Sequence, residues 1–156
     1  MQPSFNKALE EQETLPDSLN YLVGSRETLR SMRTVAARKP FDGEVLDFLH
    51  DVSKALMANR EAKLYSDIIT LAFWVRKSST AKLKDRFDKE DGSIHLGRGV
   101  AFHIAPSNVP VNYAYSLAVG LLTGNANVVR VPSKDFAQVR IINQAITDTL
   151  SMEVHA

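Results

Sequence analysis

The sequence predicts an α/β protein: a helical N-terminal region followed by the opening β-α-β-α of a doubly wound parallel sheet, incomplete as it stands. Three observations carry that expectation. Val100–Ala105 is apolar throughout except for His103, which suits a strand covered on both faces. Val111–Thr123 places Ala114, Leu117, Ala118, Val119, Leu121 and Leu122 almost all round a helix, and a helix with no polar face is a buried one. Asn127–Val131 is a second short strand. Strand, helix and strand within about thirty residues make a βαβ unit with a right-handed crossover.

The remaining elements follow from periodicity and punctuation. Residues 1–16 are polar. Asp17–Arg38 reads as helical, with Leu19, Leu22, Leu29, Met32 and Val35 at roughly helical spacing and Gly24–Ser25 as a break. Its Arg26, Arg30, Arg33 and Arg38, with Lys39, read as a solvated face rather than an anion site. After Pro40, Asp42 is the N-cap of a helix striped by Val45, Phe48 or Leu49, Val52 and Leu56. Arg60–Lys77 reads as one largely buried helix, with Trp74 in the core. Ser78–Thr80 breaks it and caps a short amphipathic piece ending at Phe87. Asp88–Gly92 is a charged turn and Ser93–Leu96 a short strand. Pro110 suits the first position of the apolar helix. Gly124–Asn125 stops that helix. Asp135 with Gln138 has the pattern of a capping box for a last helix carrying Phe136, Val139, Ile142, Ala145, Ile146 and Leu150. The division expected is a mainly helical region over 1–92 and a partial nucleotide-binding unit over 93–156.

Composition narrows the function. The chain has 156 residues, 44% of them hydrophobic, which is enough for a real core. Its 19 basic and 18 acidic residues nearly cancel, so no basic field exists to track nucleic acid. It has no cysteine, which excludes disulfides, thiolate metal sites and a cysteine nucleophile within this sequence. Its four histidines, His50, His95, His103 and His155, have no metal-ligand spacing. No apolar run is long enough to span a membrane and the N-terminus lacks a signal peptide's basic-then-apolar pattern, so a soluble cytoplasmic protein is expected.

In a doubly wound sheet, ligands bind beyond the carboxyl ends of the strands, here the loops Pro106–Val109 and Pro132–Asp135. The first strand is not followed by G-x-G-x-x-G, and there is no phosphate-cradling P-loop or nucleophile elbow. Asn108, between Pro106 and Pro110, is either an amide donor held for chemistry or an Asx-turn residue. His103 reads as a satisfied core histidine rather than a proton donor.

The stretch GVAFHIAPSNVPVNYAYSLAVGLLTGNANVVRVPSK resembles the aldehyde dehydrogenase superfamily, whose pattern is G-V-V-G-x-I-x-P-W-N-x-P, an apolar helix, then G-N-x-V-V-x-K-P-S-E. I-A-P-S-N-V-P, G-N-A-N-V-V-R and the upstream F-W-V-R-K of Phe73–Lys77 look most like its Lux-type fatty acyl-CoA reductase branch. The resemblance implies a Rossmann-like sheet, and it implies reduction of a fatty acyl thioester, such as fatty acyl-CoA, to an aldehyde. Asn108 then matches the asparagine whose amide helps form the oxyanion hole. Such a fixed, neutral donor steadies the charge on an attacked carbonyl without titrating, and is worth roughly 3–4 kcal/mol. Ile104, Ala105, Pro106 and Ser107 match the segment lining the cofactor channel, with Ser107 where many relatives carry tryptophan. Pro132 and Ser133 match the adenosine-ribose loop. Two positions depart from the pattern. Val131 replaces the family's lysine, leaving Arg130 to supply any ribose contact. Lys134 replaces its glutamate, which implies NADP(H) over NAD(H), unless Lys134 is only an exposed loop lysine.

The family's nucleophile is a cysteine of a catalytic domain that this sequence does not contain. The expectation is therefore an N-terminal fragment of an acyl-CoA reductase, inactive alone. The alternative is a non-catalytic interaction module, or an unstable remnant, pairing with a full-length relative. Exposed apolar surface at the open edge of the second strand predicts self-association or a complementing chain.

Overall fold

The computed structural model describes residues 18–89 and 93–152. In order these form α1 (Arg26–Ser31), α2 (Gly43–Ala58), a 3-10 turn (Ala62–Leu64), α3 (Ser66–Val75), α4 (Lys77–Phe87), β1 (Val100–Ile104), α5 (Asn112–Leu122), β2 (Ala126–Arg130) and α6 (Ala137–Leu150). The architecture is α/β: packed helices followed by β-α-β-α, with β1 and β2 in one parallel sheet.

The core gathers around α2. Asp42 caps it as expected, its carboxylate accepting from the Glu44 N–H. Val45, Leu49, Val52 and Leu56 are the buried stripe of α2, and they join one core with Ile68, Leu71, Ala72 and Val75 of α3, Ala114 and Ala118 of α5, and Ile142 and Ile146 of α6. Leu56 and Ile68 are completely enclosed, each worth about 1.5–3 kcal/mol of burial. Ser53 reaches this interior only because its hydroxyl donates to the Ala72 carbonyl at 2.7 Å. Trp74 packs edge-on against Tyr115, with ring centroids 5.4 Å apart.

The amino ends of the strands are tied by a backbone junction. The Arg38 N–H donates to the Gly124 carbonyl and the Gly97 N–H to the Arg38 carbonyl, both at 3.0 Å. Gly124 ends α5 at φ +81°, and a Cβ on Gly97 would sit 2.0 Å from the Gly124 oxygen. Glycine is required at both positions.

Several expectations give way to local structure. Of Asp17–Arg38, only Arg26–Ser31 is helical, capped by Ser25; that helix buries no residue, so nothing extends it (Asp17 lies outside the described residues). Arg60–Lys77 is two pieces, because Tyr65 is extended, and Leu64 faces solvent. The break before α4 falls at Arg76, with ψ 153°, so Ser78–Thr80 form the first turn of α4 instead of ending a helix. The Ser79 hydroxyl donates back to the Phe73 carbonyl across that break. Ser93–Leu96 is irregular, without a strand partner, and Glu90–Gly92 of the charged turn lie outside the described residues. Pro110 precedes α5 by two residues, and Asp135 does not cap α6. Asp135 instead pairs with Arg140 at 3.6 Å, and Gln138 donates to Asp67 at 3.4 Å. Finally, β1 is covered on one face only, with Val100, Phe102 and Ile104 exposed on the other.

Candidate functional site

Parallel pairing puts the carboxyl ends of β1 and β2 side by side. The register runs from Val100 opposite Ala126 to Ile104 opposite Arg130. The ladder continues one step further, because the Ala105 N–H donates to the Arg130 carbonyl at 3.2 Å. The two loops expected to bind a ligand therefore leave the sheet as neighbours.

In the first loop Ala105 is buried, while Ile104, Pro106, Ser107 and Asn108 are exposed. The Val111 carbonyl then takes the Ala114 N–H at 3.0 Å, and α5 begins at Asn112. Among the described residues no hydrogen bond restrains the Asn108 side chain. An Asx-turn to the residue two ahead cannot form, because that residue is Pro110 and has no N–H. The amide is thus presented to solvent with its donors unspent, which is what a ligand-facing donor requires.

In the second loop Pro132 is buried and anchors the turn, whereas Arg130, Ser133 and Lys134 are exposed. The Lys134 ammonium lies over the Phe136 ring, 5.1 Å from its centroid. An exposed cation–π contact of this kind is worth about 0.5–1 kcal/mol and holds the charge beside the loop. A lysine so placed remains exposed and available to an anion.

The strand histidine is structural. His103 Nε2 lies 2.9 Å from Asn127 Oδ1, and the Asn127 amide donates to the Asn125 carbonyl at 2.7 Å. Since Asn127 offers an oxygen, His103 donates through Nε2. This pair fills the space between the sheet and α5, at Gly120. The Asn127 partner follows from the register, which puts residues 103 and 127 on the same face of the sheet. His50 is likewise engaged, its Nδ1 accepting from the Lys77 N–H at 3.4 Å. No group of acidic, cysteine or histidine side chains suited to a metal occurs among the described residues.

Two groups behind the loops have displaced proton affinities. Burial pushes the Tyr113 hydroxyl well above the ordinary tyrosine value, and it donates to Asn143 Oδ1 at 2.8 Å, tying α5 to α6. Tyr115 is also raised, first by burial and then by the Asp67 carboxylate. Neither of two cavities in the chain involves the loops. One of about 20 Å³ lies in the apolar helix core, and a groove of about 290 Å³ runs between α2 and α4.

The chain is an α/β protein with a parallel βαβ unit, an unspent amide beyond one strand and a cationic Pro-Ser-Lys turn beyond the next. The chain matches the family of acyl-CoA reductase (LuxC) over residues 24–153, and it belongs to that family. No curated protein and no solved structure gives a significant match. No helix among the described residues is long and apolar enough to cross a membrane.

Proposed function

We propose that this chain supplies the cofactor-binding and oxyanion-stabilising half of an NADPH-dependent acyl-CoA reductase that converts a fatty acyl thioester to an aldehyde. The observation that carries the reading is Asn108, an exposed amide between two prolines at the carboxyl end of β1, free of any described hydrogen bond. Its N–H donors would steady the oxyanion that develops on the thioester carbonyl. Ile104, Ala105, Pro106 and Ser107 would line the channel beside it in a Rossmann-like arrangement. Arg130, Pro132, Ser133 and Lys134 would hold the adenosine end, with Lys134 favouring the 2′-phosphate of NADP(H) over the free hydroxyl of NAD(H). The bound cofactor supplies hydride; the residues here orient it and the carbonyl.

The thiolate that takes the acyl group must come from outside residues 1–156, because the sequence has no cysteine. This chain alone is therefore expected to make no aldehyde from any acyl-CoA, and turnover under NADPH oxidation would overturn that assignment. Binding tests the rest. With NADPH at about ten times its dissociation constant, melting should rise by about 3–6 °C, from roughly 1.4 kcal/mol of ligand stabilisation. NADH should shift it less. No shift with either nucleotide would remove the cofactor half of the reading.

A further inference from the structure

We propose that Arg140 is a second cation for the 2′-phosphate of NADP(H), held beside the nucleotide turn by Asp135 until the phosphate displaces that carboxylate. This role presupposes the reading of Pro132–Lys134 as the adenosine end of the cofactor site, and it adds Arg140 to that site as a specificity-determining residue. Asp135 stands where the sequence expects a cap for α6, yet no side chain caps that helix. The Asp135 carboxylate instead lies 3.6 Å from Arg140 Nε.

Two cations bracket Phe136. The Lys134 ammonium lies over its ring, 5.1 Å from the centroid. Arg140 follows Phe136 by four residues, the spacing that makes side chains neighbours along a helix, and its N–H donates to the Phe136 carbonyl at 3.3 Å. Lys134, Asp135 and Arg140 thus form one surface group with two positive charges and one negative. A phosphate monoester carries close to two negative charges near neutral pH. Set against Lys134, it competes with the singly charged Asp135 carboxylate for the guanidinium. The planar fork of arginine matches phosphate oxygens two at a time, a contact that the side chain does not make to Asp135.

The existing pair is easily exchanged. The Arg140 and Asp135 side chains are 67% and 85% exposed, and their 3.6 Å separation is longer than a hydrogen bond. An ion pair so exposed adds little to stability, and the carboxylate it releases stays in water. A ribose with a free 2′-hydroxyl has no charge with which to displace Asp135, so Arg140 remains neutralised when NAD(H) is offered. Asp135 also opposes the approach of any phosphate. Its charge therefore holds the preference for NADP(H) below what the two cations alone would give.

Isothermal titration of the 156-residue chain with NADPH and with NADH, at low ionic strength, tests this. Arg140→Gln should shrink the NADPH-to-NADH affinity ratio by about tenfold, the lower end for a hydrogen bond between charged groups, and leave NADH binding unchanged. Arg140→Lys should keep part of the ratio. Asp135→Asn should widen it by about threefold, the scale of an exposed ion pair. That gain should disappear in the Asp135→Asn, Arg140→Gln double variant, because the carboxylate acts through Arg140. Arg86→Gln, which removes an exposed charge from α4, should leave the ratio as it is. An unchanged ratio in Arg140→Gln would overturn the proposal, as would an equal loss of NADH affinity, the same Asp135→Asn gain in both backgrounds, or a matching loss in Arg86→Gln. A wild type that binds neither nucleotide, or binds both equally, would overturn it together with the NADP(H) reading. A wild type that prefers NADPH and is indifferent to Arg140→Gln would overturn this inference alone.

Discussion

Replacing Gly120 by alanine should destabilise the protein although it improves the helix. Gly120 sits inside α5, and alanine there gains about 1 kcal/mol of helix propensity. Against this, the added Cβ would stand 1.8 Å from Asn127 Oδ1, 2.7 Å from its Cγ and 3.0 Å from His103 Nε2. Asn127 cannot simply swing away. Its amide is tied to the Asn125 carbonyl and its oxygen takes the His103 proton. Either both hydrogen bonds are lost, at about 1 kcal/mol each with further cost for stranded groups, or α5 lifts off the sheet at about 1–3 kcal/mol. The net loss should be about 2 kcal/mol, read in urea as a midpoint lowered by about 1 M. The double variant Gly120→Ala with Asn127→Ala should lose less than the sum of the singles, because the second change removes the obstacle. A Gly120→Ala protein as stable as the parent, or more so, would refute the close packing of α5 on the strands that aims both loops.

Other changes probe the same scaffold. Burial holds the Tyr113 hydroxyl protonated above its unfolded range, so the folded state retains a proton that the unfolded chain releases as pH passes about 10. Stability should fall with rising pH beyond that point. Tyr113→Phe should flatten the alkaline limb while costing about 1–2 kcal/mol at neutral pH, because Asn143 Oδ1 loses its donor; an unchanged alkaline slope would count against this. Asp42→Ala should cost about 1 kcal/mol through the lost cap of α2. Asp42→Asn should restore most of it, since the exposed pair with Arg38 contributes little; calorimetric melting of the two variants separates cap from charge.

What could be read in the sequence follows from which forces act locally. The stripe of α2, the cap at Asp42, the all-round apolar α5, its stop at Gly124 and the β1–α5–β2 order are written in spacing and punctuation, and the structure keeps them. Boundaries governed by a single backbone angle were not legible. The turn at Tyr65 and the break at Arg76 occur inside a run that is apolar enough to be one helix. Ser78–Thr80 look like a breaker by composition, yet they form the first turn of α4, the Ser79 hydroxyl donating to the Phe73 carbonyl across the break and the Thr80 hydroxyl to the Arg76 and Lys77 carbonyls. The strand expected at Ser93–Leu96 has alternating apolar residues, but among the described residues no strand pairs with it. Continuous apolarity in β1 predicts cover on both faces, whereas the structure covers only the His103 face. At the candidate site the loop residues were named from their pattern. The free state of Asn108, the seat of Lys134 on Phe136 and the His103–Asn127 bond all needed the register of two strands and the path of a turn.

The central claim is that Asn108 and the Pro132–Lys134 turn face one ligand. Amide chemical-shift mapping of the chain during an NADPH titration tests it most directly. The account predicts shifts concentrated at Ser107–Val109 and Ser133–Asp135, including the Asn108 side-chain amide, with Lys134→Glu weakening NADPH more than NADH. Shifts confined to the groove between α2 and α4, or none at either strand end, would contradict it.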